Sequence, residues 1–214
     1  MVQNQTASLY EFIPAVEGKR ERLTEQLKNV LPTVYQCIHF GHDQYSERHA
    51  NHIVDWTKTT RANIIRDYVV NHIKEQLQGE HEVRFHTKNR MFLVIIGDKI
   101  GLRFKKLDKR LKSANIPTRQ VRSWRNGTLI IPELNIQELT CIDVGYVNDA
   151  VDAGIDKVWA VVRGKDPLVF NLTNDFSGVI MSDLFTETNL PVDSPFTIRA
   201  DARPKKDNGN QANI

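Results

Sequence analysis

The chain has 214 residues, 40% of them hydrophobic and 26% charged, with a formal net charge of +3 at pH 7. That length suits one domain, with a core large enough to fold without disulfides or structural metals. The balance is that of an ordinary globular chain, and no apolar run is long enough to span a bilayer, so no membrane partner is expected. The start, MVQNQTASLYEF, has neither a basic lead nor an apolar signal core, and the two cysteines, Cys37 and Cys141, lack CxxC spacing. The expectation is a reduced, cytoplasmic protein in which both thiols act as small buried hydrophobes.

Residues 10 to about 80 read as helical. EGKRERLTEQLKNVL spaces its apolar residues for one helix face and is expected to end at Pro32. In ANHIVDWTKTTRANIIRDYVVNHIKEQLQGE, Ile53, Trp56, Ala62, Ile65, Val69, Ile73 and Leu77 recur mainly at three- and four-residue steps. This predicts an amphipathic helix closed near Gly79. The texture then turns to strands. EVRFHT, MFLVIIG and IGLRFKKL, with TKNR and GDK between them, predict two successive hairpins. LTCIDVGYVND, DKVWAVVRG and PLVFNLTND predict three further strands. SGVIMSDLFTET suits a short closing helix, and the polar end RADARPKKDNGNQANI suits a disordered tail. The fold class expected is α+β, with a helical N-terminal half packed on a mainly antiparallel sheet. The divisions are 1–80 helical, 81–198 β-rich with a basic helical insertion, and 199–214 tail, forming one compact unit.

Charge is distributed unevenly. Nine Lys or Arg residues and one acid lie between Arg103 and Gly127, whereas Glu133 to Asp156 holds six acids and no base. LDKRLKSA and RQVRSWRN predict two short helices joined by NIPT, the second capped by Thr118 and closed by Gly127. Leu107, Leu111, Ile116, Val121 and Trp124 would point inward, and Arg119, Arg122 and Arg125 would share an outer face. That arrangement resembles a helix-turn-helix. The candidate nucleic-acid contacts are Arg103, Lys105, Lys106, Lys109, Arg110, Lys112, Arg119, Gln120, Arg122 and Arg125. The lysines and arginines of 105–112 would hold phosphates, with Arg119, Gln120 and Arg122 placed for base edges. The plain alternative is a solvated basic face.

Two other chemistries have residues in the chain that could serve them. His39, His42, His49 and His52 form two H-x-x-H pairs close to Cys37 and invite a zinc reading, against which stands a set of helical surface imidazoles. A metal-dependent nuclease would use Asp143, but the acid-x-Lys triplet it needs is missing, and Asp143, Asp149, Asp152 and Asp156 read more simply as turn and edge residues. No nucleotide-binding or hydrolase motif is present, and no cofactor and no catalytic residue are expected. The acidic strip after the basic block also suits docking to a protein partner or a second copy, as in an antitoxin- or inhibitor-like module.

Across residues 50–175, Trp56, Arg61 and Ile65, the hairpin ending in LRFKKL, the NIPTxQ turn, VGYVND and VWAVV resemble a family of uncharacterised bacterial and prophage proteins. The resemblance implies no activity. It implies a phage or mobile-element context, which suits a DNA-associated protein of regulation or defence, double-stranded DNA being the expected partner.

Overall fold

A computed structural model of the protein describes residues 9–52, 55–165 and 167–176. The expected closing helix at 177–188, the expected tail at 199–214 and Ile53 lie outside the described residues. Three helices come first: α1 (Leu9–Leu27), α2 (Leu31–His49) and α3 (Lys58–Gln76). Pro32 begins α2 rather than ending a longer first helix. A proline is tolerated in the first turn because the N–H it lacks has no intrahelical acceptor there. The periodic segment from 50 to 80 is also interrupted. Ala50–His52 form a 3₁₀ turn, and α3 starts only after Thr57, whose hydroxyl accepts a hydrogen bond from the Thr60 N–H at 3.1 Å. None of the described helices is long and apolar enough to cross a membrane.

The strands are β1 (Val83–Lys88), β2 (Met91–Ile96), β3 (Ile100–Lys106), β4 (Thr140–Asn148), β5 (Ile155–Val162) and β6 (Val169–Asn171). They form one six-stranded sheet in sequential order, antiparallel throughout except for the parallel pair β3–β4. Both expected hairpins form. Their tight turns, of two and three residues, place Asn89 and Arg90, then Gly97 and Asp98, at positive φ, the left-handed backbone common in short hairpin loops. A parallel pair cannot be joined by a tight turn, so the chain between β3 and β4 crosses the sheet as a long segment. That segment carries α4 (Arg119–Arg125). The short helix α5 (Leu172–Phe176) follows β6. The fold is α+β, with the helices preceding a mainly antiparallel sheet.

Alternation along the strands fills two layers. Phe92, Val94, Leu102, Phe104, Ile142, Val144 and Val158 face α2 and α3 and join Val34, Ile38, Ile65, Val69 and Ile73 in the larger core. The opposite face receives the β3–β4 crossover. There Met91, Leu93, Ile95 and Cys141 pack against Val121, Trp124, Leu129 and Leu139. Among the described residues, helices and sheet therefore share one core.

Both thiols are buried without a disulfide partner, and burial pushes Cys37 and Cys141 up to about 12. Thiolate is the reactive form. The folded protein should therefore resist iodoacetamide at pH 8, with both cysteines labelled only after denaturation. Rapid labelling of either in native buffer would contradict this burial.

Candidate nucleic-acid interface

The sequence between β3 and β4 folds differently from a helix-turn-helix. LDKRLKSA is a tight turn. Leu107 and Ser113 form an isolated antiparallel bridge, and Leu111 takes a positive φ. Asp108 decides this: its Oδ1 accepts the backbone N–H groups of Arg110 and Lys112, both at 2.8 Å. A side chain that captures nearby amides in this way competes directly with helix formation. The support helix does not exist, and Ile116, expected inside, is 82% exposed. The second helix does form. Thr118 caps it by accepting from the Val121 N–H, and Gly127 follows its end at φ +67. Trp124 and Val121 point inward as expected.

Beneath α4 lies a buried charge cluster. Asp143 of β4 is fully buried and is the register neighbour of Arg103 on β3. Its Oδ1 accepts from Arg103 Nε at 2.7 Å and from the Trp124 indole N–H at 2.8 Å. Its Oδ2 accepts from Arg103 Nη2 at 3.0 Å and from Arg163 Nε at 2.8 Å. Asp143 is thus neither a turn residue nor a free carboxylate. Arg103, only 3% exposed, is withdrawn from the candidate contacts because its charged head is spent on this pairing. One carboxylate faces two guanidiniums, so the cluster keeps an excess positive charge in a poorly screened interior.

That excess sits between two open clefts. The first, about 550 Å³, is lined by Arg66 of α3, Arg90 of the β1–β2 turn, Lys105 and the edge of Arg103, with Gln120 and Asn115 on its far wall. The second, about 300 Å³, is lined by Lys112, Arg125 and Arg163. Ser113 and Asn115 divide them. Arg125 donates to the Ser113 carbonyl at 3.0 Å, and Arg163 donates to that of Leu111 at 2.9 Å, which fixes the turn against the sheet. Among the described residues, the only acid lining either cleft is Asp67, and its carboxylate already accepts from Arg66 at 3.0 Å.

Lys105 is a half-buried lysine of the first cleft. It makes no hydrogen bond or ion pair among the described residues. Burial, together with the charges of Arg103 and Arg66, holds its ammonium below the ordinary lysine pKa, while Asp143 opposes the shift. An arriving anion would oppose that shift and favour the charged form.

Of the remaining candidates, Lys109, Arg110, Arg119 and Arg122 are exposed on the turn and on α4. Gln120 reaches the Lys88 carbonyl only at 3.5 Å. Lys106 is not part of this surface. Neighbouring strand residues point to opposite faces, and Lys106 binds Asp152 on the helix side at 2.6 Å. Arg66, Arg90 and Arg163 lie outside the basic segment of residues 103–127, and no spacing in the chain ties them to it.

The four histidines pack against aromatic side chains, with His49 and His52 sharing Trp56. His39 packs on Tyr35, His42 faces Tyr146, His49 Nε2 is 3.1 Å from the Tyr68 hydroxyl, and His52 stacks on Trp56. Among the described residues, no three His, Cys, Asp or Glu side chains converge as a metal site would need. The acidic strip also disperses. Asp143 is in the core, Glu133 pairs with Lys88, Asp149 holds the Ala153 and Gly154 amides, and Asp152 pairs with Arg61 and Lys106. No family model, curated protein or solved structure matches the chain.

Proposed function

We propose that this protein binds nucleic acid through backbone phosphates at the two basic clefts and the exposed cations beside them. The observation that carries the reading is the unbalanced cluster of Arg103, Arg163 and Asp143 set between clefts lined by cations from α3, the β1–β2 turn, β3, the β3–β4 crossover and the segment after β5. Fixed positive charge in poorly solvated walls attracts a polyanion, and phosphate is what arginine forks and lysines share as a partner. Without a support helix, the reading rests on phosphate contact and makes no claim for base edges at Arg119, Gln120 and Arg122. In the phage or mobile-element setting implied by the resemblance, such a protein would act in regulation or defence, with double-stranded DNA as the leading substrate.

Labelled duplex and single-stranded DNA titrated at several salt concentrations test this. About five phosphate contacts give a log–log slope on the order of −4 to −5 for a duplex. Replacing Lys112, Arg119 and Arg122 together with Ala should flatten that slope by about 3 and weaken binding similarly for every sequence. An affinity indifferent to salt, or a triple variant that binds like the parent, would overturn the proposal. Preference for the single strand would redirect it to that form.

A further inference from the structure

The outer edge of β1 pairs with no strand among the described residues. An exposed edge is a row of backbone donors and acceptors open to another strand, and proteins often guard such edges with proline, bulges or very short strands. β1 has none of these three. It runs from Val83 to Lys88 in unbroken register with β2. At its middle stands Phe85, 37% exposed, its ring lying against Phe92 on the helix side of the sheet. The strand does carry charges, and their order is the informative part.

The β1–β2 hairpin decides which backbone groups point outward. Its two-residue loop makes Lys88 and Met91 the first hydrogen-bonded pair, so bonding to β2 falls on the even-numbered residues of β1. The Glu82 carbonyl continues that series by accepting from the Gly97 N–H at 3.0 Å. The backbone groups of Phe85 and Thr87 are left facing outward, together with the Val83 carbonyl. The Val83 N–H is turned back to the Glu80 carbonyl at 3.1 Å. An added strand must match this alternation, because a slip of one residue puts its side chains on the wrong face.

The charges select the partner. EVRFHTK opens on Glu82 and closes on Lys88, so the segment is complementary to its own reverse. Laid antiparallel on a second copy with Phe85 opposite Phe85, Val83 meets Thr87, Arg84 meets His86 and Glu82 meets Lys88, each pair occurring twice by symmetry. A two-residue slip in either direction sets Arg84 against Arg84 or against Lys88, and like charges directly opposite are unfavourable. Arg84 is already answered by Asp98 of its own chain. Lys88 pairs with the half-exposed Glu133, and its ammonium keeps further donors. We infer that β1 is a homodimer interface, at which two copies pair edge to edge, antiparallel and centred on Phe85. The twofold axis stands perpendicular to the sheet, joins the two sheets into one and leaves the basic clefts of both copies on the same side. The inference does not rest on nucleic-acid binding at those clefts.

Sedimentation of the full chain without nucleic acid tests the inference. The expected species has twice the 24.6 kDa chain mass and dissociates on dilution. Glu82→Lys and Lys88→Glu should each weaken dimerisation about tenfold or more, because symmetry turns two attractive pairs into two repulsive ones. Both positions are exposed, so neither change threatens the fold. An equimolar mixture of the two variants should recover the dimer, since each introduced charge then faces its opposite. Phe85→Cys reads the register. The hydrogen-bonded pair of antiparallel strands has Cα atoms about 5.5 Å apart, within disulfide reach, and both native thiols are buried. Diamide should therefore link Phe85→Cys into a covalent dimer and leave Thr87→Cys unlinked, because that position faces Val83 of the second copy. A chain that stays monomeric at millimolar concentration and does not cross-link at Phe85→Cys overturns the inference, as when residues of its own chain cover the edge. So does a dimer that tolerates both charge variants, a mixture of them that stays dissociated, or equal cross-linking at Thr87→Cys, each of which places the contact elsewhere.

Discussion

Replacing Asp143 with Ala is expected to lower the unfolding free energy by about 3–5 kcal/mol, because it strips the shared counter-charge from two guanidiniums under the crossover. Arg103 is only 3% exposed, and the Arg163 side chain is mostly buried. The Trp124 indole N–H loses its acceptor at the same time. Urea unfolding midpoints measure the loss. Removing the charges in pairs should cost less: Arg103→Met with Asp143→Leu is expected to recover part of the deficit, since an apolar pair carries no desolvation penalty. An Asp143→Ala protein within about 1 kcal/mol of the parent would show that the cluster is not the anchor described.

The second large effect is expected at Gly145. It sits opposite Lys105 in the parallel β3–β4 pair, and a Cβ built on it falls 1.8 Å from the Lys105 carbonyl oxygen. That oxygen belongs to a strand and cannot swing aside. Overpacking by a side chain costs about 1–3 kcal/mol when neighbours adjust, and backbone cannot adjust in the same way. Gly145→Ala should therefore cost more than that range and abolish a cooperative unfolding transition at 37 °C. Gly18→Ala is the matched control. Nothing lies within 4 Å of its would-be Cβ, and in the interior of α1 the exchange should be neutral or stabilising by about 0.5–1 kcal/mol. Equal behaviour of the two variants would contradict the tight strand contact.

The fold was largely legible because its signals are local. Short β-rich runs mark all six strands, the hairpin turns are short, and Thr118 and Gly127 bracket α4 at the expected positions. The misreadings share one cause, which is that a local pattern was overruled by a group the pattern does not contain. Leu107 and Leu111 have helical spacing, yet the Asp108 side chain holds the amides in a turn. Ile53 continues the apolar periodicity toward the front of α3, yet Thr57 stops the helix by capping it. The site was half legible. The excess of Lys and Arg is visible in the chain, but its allocation is not. Arg103 and Lys106 are engaged by Asp143 and Asp152, which lie 40 and 46 residues further on, and nothing in the basic segment signals either.

The lone parallel pair divides the sheet into two three-stranded meanders, β1–β3 and β4–β6, each built from neighbours in sequence. Each can zip locally, whereas joining them requires closing a loop of more than thirty residues, a step whose entropic cost is met only after the ends have been brought together. The Arg103–Asp143 contact spans that seam. The protein is therefore expected to assemble as two halves that dock late, with the internal charge pairing as the latch between them, so that the surface bearing the clefts exists only once the chain has completed its final step.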